Sequence, residues 1–303
     1  MIRILLFVAL MLANGFCFSQ QDPQFSQYLF NYSAINPGYV GSNDQYRATA
    51  VHRTQWMGFE GAPTTLNLNV EGAVPGIHGG LGLNVISDKI GYNEFLGLSF
   101  SYAYRKEVLS GVLGVGFSFG LLQDAIGGGE WIAPNGVSGD PAIPQMGDKA
   151  SGFDMGMGAY YNNNDIFFGL SMTHLNEVSI ASSSNLIQMK RHYYITAGYS
   201  YDIDEMLSVR PMLFIKSDGV TSQLDFSALL LYNKKFWGGV NYRPEDAIVA
   251  MMGLNVNESL HFGFAYDVPI SQIAKSSIEF MVGYNFDISI DRIPKSYKNP
   301  RFL

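Results

Sequence analysis

Between residues 94 and 105 the chain alternates: Leu96, Leu98, Phe100, Tyr102 and Tyr104 are interleaved with Gly97, Ser99, Ser101, Ala103 and Arg105. Residues 111–121 repeat this, with Leu113, Val115, Phe117, Phe119 and Leu121 set against Gly114, Gly116, Ser118 and Gly120. A period of two sustained over about ten residues is the pattern of a β-strand with one apolar and one polar or small face. The same pattern recurs and predicts fourteen strands, at 47–56, 64–72, 80–86, 94–105, 111–121, 152–161, 166–174, 192–201, 207–216, 223–232, 236–243, 247–256, 260–267 and 278–288.

On one parity the larger residues are almost all Leu, Ile, Val, Phe, Met and Tyr; the other parity holds Gly, Ser, Thr, Asn and scattered charge. A soluble sandwich or propeller would turn charge outward. A transmembrane barrel turns its apolar parity to lipid and its polar parity to the lumen, and strands of about 10 residues suit a tilted crossing of the bilayer. The connections agree. With both barrel termini in the periplasm, the long connections at 122–151, 175–191 and 268–277 fall outside, and the short ones at 161–166, 202–206 and 233–235 fall inside. The predicted fold is all-β: a transmembrane antiparallel β-barrel of about 14 strands over 46–290, with a short N-terminal segment at 20–45 that is a plug or a periplasmic segment, and a periplasmic tail at 291–303.

Composition narrows the class. Only 15% of the 303 residues are charged, against about 25% in soluble domains. The net charge of −7 argues against a nucleic-acid binder, and 14% aromatic residues argue against disorder. Residues 1–19 read as a cleaved signal peptide: Arg3 is the basic start, 4–13 the apolar stretch, and Cys17-Phe18-Ser19 the small-x-small exit. Its ten apolar residues are too few to span a bilayer, and the single cysteine leaves with it. The expected location is the outer membrane, with its lipid against the apolar face.

The polar parity points Arg47, Arg53, Asn67, Asn69, Glu71, Asn84, Asp154, Arg210, Asp225, Asn241, Glu279, Asn285 and Asp287 into the lumen. Strands four to eight turn Gly114, Gly116, Gly156, Gly158, Gly169, Ser171, Gly198 and Ser200 inward instead. Two readings fit: another segment packs closely on that wall, or the glycines serve barrel curvature. Trp56, Tyr92, Tyr104, Tyr201, Tyr232, Trp237 and Tyr242 near strand ends are expected in interfacial girdles. His174, on the apolar parity, is expected at the interface.

Signatures of chemistry are weak. His52, His78, His174, His192 and His261 form no HExxH or Cys/His motif, so no metal or cofactor is predicted. The glycines of 111–120 lack phosphate-loop spacing and sit in a strand. The acidic stretch 202–205 lacks EF-hand spacing and reads as a turn. No catalytic constellation is legible, so the protein is expected not to be an enzyme.

The segment before the barrel is the most distinctive. Phe25, Tyr28, Leu29 and Tyr32 fall at helical spacing, and Asn36-Pro37-Gly38 then stops and turns the chain. Such an aromatic stretch is expected in the barrel mouth or lumen, with Phe25, Tyr28, Asn36, Pro37 and Tyr39 meeting inward residues such as Arg47, Arg53, Glu71, Asp154 and Arg210. Its Asp22-Pro23-Gln24-Phe25-Ser26-Gln27-Tyr28 and Asn36-Pro37-Gly38-Tyr39-Val40-Gly41 elements resemble the start of the PorP/SprF family of Bacteroidota outer-membrane proteins. Arg53-Thr54-Gln55-Trp56 and the closing Asn299-Pro300-Arg301-Phe302 are similar to that family's later elements.

The resemblance implies a component of the type IX secretion system, tied to export and surface attachment of large adhesins, including those of gliding motility. Clients of that family carry a type B C-terminal sorting domain, and its partners include periplasmic ring and lipoprotein parts of the machine. On that expectation the client binds the 122–151 loop, through Glu130, Trp131 and Asn135, and the tail with Arg301 and Phe302 docks the apparatus. The competing reading is an outer-membrane diffusion channel or hydrophobic-solute transporter; an outer-membrane hydrolase is a third.

Overall fold

The computed structural model describes residues 22–43, 45–127, 149–181, 186–271 and 275–287. Fourteen antiparallel strands close into a barrel: β1 Tyr46–Thr54, β2 Thr64–Val74, β3 Gly79–Ile90, β4 Asn93–Val108, β5 Gly111–Ile126, β6 Lys149–Asn162, β7 Ile166–Thr173, β8 His192–Tyr199, β9 Leu207–Ser217, β10 Ser222–Tyr232, β11 Phe236–Arg243, β12 Ala247–Asn255, β13 Leu260–Pro269 and β14 Ser277–Phe286. Each pairs with its sequence neighbours, and β14 closes on β1 with Arg53 opposite Glu279. The expected strands match these one for one. A separate small hairpin, Ser179–Ala181 with Leu186–Gln188, sits in the connection from β7 to β8. Among the described residues no helix is long and apolar enough to cross a membrane.

Alternation explains the strands. In β2, Leu66, Leu68 and Val70 stand exposed on the outer face while Thr65, Asn67, Asn69 and Glu71 are buried inside. Closure leaves the barrel without an open edge, so strand backbone groups pair across the wall as the bilayer requires. Short turns at one end are set by side chains that cap the backbone. Asn163, Asp204 and Asn257 each accept two backbone N–H groups. The 202–205 stretch is therefore a turn, as read. Long connections gather at the other end, which outer-membrane barrels turn to the outside.

Among the described residues, the middle of the lumen is filled by protein side chains. Inward positions of β1, β9, β10, β11, β12, β13 and β14 include Val51, Met212, Leu229, Trp237, Val249, Met251, Ala265 and Met281, all buried in one cluster. Phe25, Leu29 and Phe30 of the N-terminal segment pack against that cluster. Apolar side chains on the polar parity are thus covered by residues 22–43, which enter the lumen at the long-loop end and leave it at the short-turn end. Helical spacing in this segment becomes three single 3₁₀ turns, Tyr28–Phe30, Tyr32–Ala34 and Pro37–Tyr39, the tighter form that short pieces of helix commonly take.

Candidate functional site

At the long-loop end the N-terminal segment is bound by charge. Glu279 accepts the backbone N–H groups of Ser26 and Gln27, both at 2.7 Å. Asp267 accepts the Ser26 hydroxyl at 2.8 Å. Arg53 completes the clamp by donating to Asp267 at 2.6 Å, to Glu279 at 3.2 Å and to the Ser26 hydroxyl oxygen at 2.9 Å. Arg243 lies 3.3 Å from Asp225 and 3.5 Å from Asp267. Arg53, Asp267 and Glu279 are all buried. Such an array holds only if every charge keeps its partner.

Asp22 has its own socket. Its Oδ1 meets His174 Nε2 at 2.8 Å, and its Oδ2 accepts from Tyr194 at 2.5 Å and Thr173 at 3.2 Å. Lys216 donates to its carbonyl at 2.9 Å. The other ring nitrogen of His174 lies 2.9 Å from Asp154. Burial acts to raise the Asp22 carboxyl, but His174, His192 and Tyr194 outweigh it and hold Asp22 well below the usual carboxylate range. Burial acts to lower the His174 imidazole, and the Asp22 and Asp154 carboxylates overcome it, pushing it up to about 10.

Mid-lumen contacts are aromatic and amide. Tyr28 stacks on Phe214 with centroids 4.3 Å apart, and its hydroxyl lies 3.0 Å from that of Ser227. Phe30 lies 4.5 Å from Trp237. Asn31 donates to Asn67 at 2.5 Å, and Asn69 donates to Ser33 at 2.6 Å. Tyr32, Tyr39, Tyr160 and Phe167 form a ring cluster in which Tyr39 meets Tyr160 edge-on at 4.9 Å. Offset and edge contacts of this kind add to simple burial.

At the short-turn end the contact is backbone on backbone. Asn36 caps its turn by accepting the Gly38 N–H at 2.9 Å and donates to the Ala159 carbonyl at 3.1 Å. A Cβ at Gly114 would lie 2.3 Å from the Gly38 carbonyl oxygen, one at Gly116 2.4 Å from that of Pro37, and one at Gly158 2.1 Å from Asn36 Oδ1. Gly41, with φ +74°, lies against Gly80 and donates its N–H to Glu71 at 3.0 Å. The inward glycines at 114, 116 and 158 therefore admit the N-terminal segment. Gly198 instead makes room for the Phe167 ring of the wall.

The predicted lumen residues sort along this path. Phe25, Tyr28, Asn36, Pro37 and Tyr39 lie inside the barrel, with Tyr28, Asn36 and Pro37 buried. Arg53 belongs to the outer clamp, Asp154 to the Asp22 socket and Glu71 to the Gly41 contact. Arg47 donates to Asn285 at 2.8 Å, and Arg210 to Ser200 at 3.0 Å. Glu130, Trp131, Asn135, Arg301 and Phe302 lie outside the described residues, as do 1–19.

Two expectations are corrected. Trp237 is 6% exposed and faces the lumen, on the same parity as Asn241 and Arg243, so it packs on Phe30 and joins no girdle. Trp56, Tyr92, Tyr104, Tyr201, Tyr232 and Tyr242 are exposed. His174 is 7% exposed and bound inside, not at the lipid interface. β7 ends one residue earlier, and a left-handed φ of 53° at His174 breaks the alternation. Asp267, Arg243, Lys216, His192 and Tyr194 are site residues the sequence reading passed over. Their inward parity was the available signal for all five, His192 included, since it alternates with exposed Tyr193 and buried Tyr194 in β8.

The family model described as type IX secretion system membrane protein PorP/SprF matches residues 17–292. No curated protein matches. Among solved structures, the monoaromatic hydrocarbon channel CymD is similar with a TM-score of 0.52 and 10% identity, covering 87% of this chain and 93% of its own. The Acinetobacter baumannii outer membrane protein Omp33 aligns with a TM-score of 0.47 and 9% identity, over 80% of this chain and 98% of its own. The likeness to CymD is one of fold.

Proposed function

The chain belongs to the PorP/SprF family of type IX secretion system membrane proteins, and on that premise we propose a non-enzymatic outer-membrane barrel that supports export and surface attachment of large, gliding-type adhesins by holding their type B C-terminal sorting domain. The observation that carries this reading is the filled lumen. Residues 22–43 occupy it from the Arg53 clamp to the glycine wall, leaving the two ends of the barrel as its working surfaces. A solute channel needs a clear path, and here that path is taken by buried Tyr28, Tyr32 and Val40.

The client is assigned to the long connection between β5 and β6, with Trp131 as the aromatic anchor and Glu130 and Asn135 as further contacts. A buried Trp at an interface centre commonly contributes about 2 kcal/mol or more. The C-terminal tail, with Arg301 and Phe302, is assigned to the ring and lipoprotein parts of the machine on the periplasmic side.

Affinity purification from the native outer membrane, with proteomics on what stays bound, tests the reading. A large protein ending in a sorting domain is the expected companion, and Trp131→Ala should weaken its retention by about 30-fold. A lone barrel that conducts ions in planar bilayers would overturn the reading in favour of a channel. Labelling by a serine-directed probe would favour a hydrolase.

A further inference from the structure

His174 follows β7 and His192 opens β8, eighteen residues on in sequence and without any metal-motif spacing. The register sets His192 opposite Thr173, which brings the two rings to a centroid distance of 6.0 Å, edge to face at 79°. Between them comes Asp22, supplied by the N-terminal segment. One ligating atom from each of Asp22, His174 and His192 lies within 4.8 Å of the others.

What sets this cluster apart from an ordinary ion pair is that every member is fixed from behind. His174 Nδ1 is held by Asp154 at 2.9 Å, leaving Nε2 turned towards Asp22 Oδ1. His192 Nδ1 donates to the Lys190 carbonyl at 2.9 Å and lies 3.9 Å from Asp22 Oδ2, while its Nε2 accepts the Asp22 backbone N–H at a long 3.4 Å. Asp22 Oδ2 is occupied by Tyr194 and Thr173, leaving Oδ1 to face the ring of His174. Ligands whose far atoms are hydrogen-bonded to carboxylate, carbonyl or hydroxyl are the usual outer architecture of a metal centre. His192 is 1% exposed and His174 7%. His174 also adopts a left-handed φ of 53°, a conformation uncommon for a non-glycine residue, and this turn aims its ring inward.

We propose that Asp22, His174 and His192 bind a zinc ion that pins the N-terminal segment to the outer end of the barrel. Two imidazoles and one carboxylate suit zinc, whereas magnesium and calcium prefer oxygen alone. Zinc bonds of about 2.0–2.1 Å in a tetrahedral site require the most distant pair of ligand atoms to close by up to about 1.5 Å. The adjoining cavity of about 110 Å³, lined in part by Asp154, Thr173 and Lys216, has room for a water as fourth ligand. Without zinc a proton on His174 Nε2 bridges to Asp22. Zinc takes that proton's place and releases it to solvent, while Nδ1 keeps its proton towards Asp154. This inference does not depend on the secretion reading, because its test reads zinc and not clients.

The test uses the full-length protein, purified in detergent, stripped with EDTA and then offered equimolar zinc or magnesium before gel filtration. Elemental analysis is expected to find about one zinc per barrel and no magnesium. Asp22→Asn and His192→Gln, which keep side-chain shape, should each abolish zinc retention while heat-modifiable migration shows a folded barrel. Asp154→Asn should weaken zinc by about tenfold. Zinc absent from the wild type, or equal in wild type and both ligand variants, would overturn the proposal. Should either variant fail to fold, the X-ray absorption spectrum of the zinc-loaded wild type decides: imidazole scattering supports the site, and its absence overturns it.

Discussion

The two ends of the N-terminal segment are held by opposite means. At the long-loop end Asp22, Ser26 and Gln27 reach wall residues by ion pair and charge-assisted hydrogen bond, through Arg53, Asp267, Glu279 and His174. At the short-turn end Asn36 to Gly41 lie flat on Gly114, Gly116, Gly158 and Gly80, chiefly by close backbone approach, with the Asn36 amide and a single carboxylate, Glu71, as the polar contacts. Charge at the outer end selects chemistry and fixes register. Shape at the inner end fixes how deep the segment sits. A directional contact can be weakened by deleting one atom, whereas a close-packed one is weakened only by adding one.

The largest effect is expected at the charged end. Arg53→Met leaves Asp267 and Glu279 buried without their shared cation. Breaking a buried network by removing one partner costs about 3–5 kcal/mol. That is a shift of more than about a hundredfold in the ratio of seated to displaced segment. The wild type should be silent in planar bilayers and Arg53→Met should show open events. A silent variant with unchanged thermal stability would mean that the clamp is not what seats the segment.

At the glycine wall the expected effect is smaller and of the other kind. A Cβ at Gly38 would lie 2.8 Å from the Ala159 Cα and 2.8 Å from the Gly158 carbonyl oxygen, both backbone atoms that cannot swing aside. Overpacking of this sort typically costs about 1–3 kcal/mol. Gly38→Ala should raise open events modestly and expose the segment to protease, with the barrel itself intact. An unaltered digestion rate would show that β6 yields more readily than close packing implies.

The contrast also marks what was legible in the sequence. Lipid imposes its alternation on each strand separately, so strands and parity could be read locally, as in Leu96 to Tyr104. The route of the N-terminal segment could not. Its decisive contacts join Ser26 to Glu279, 253 residues away, and periodicity carries no information over that distance. Glycine is mute about its neighbour, so in sequence Gly114 and Gly158 fit curvature as well as close approach; in the structure Gly38 and Asn36 lie against them. Trp237 was misplaced because a rule for aromatics at strand ends was set above its own parity. His174 was misplaced because a positive φ leaves no trace in an alternating pattern.

The finest test asks whether the two ends act independently. Ser26→Ala removes a hydroxyl that bonds Asp267 and Arg53, and hydrogen bonds to charged groups contribute about 1.5–3 kcal/mol. Gly38→Ala perturbs the far end, where none of those partners is shared. Separate sites without common partners usually add to within about 0.5 kcal/mol, so a double-mutant cycle read by protease accessibility should show coupling no larger than that. Ser26→Ala with Arg53→Met, which share one clamp, should couple strongly. Strong coupling between residues 26 and 38 would mean that the segment is seated as one rigid body, with charge and shape acting through the same strained chain and not at two separate anchors.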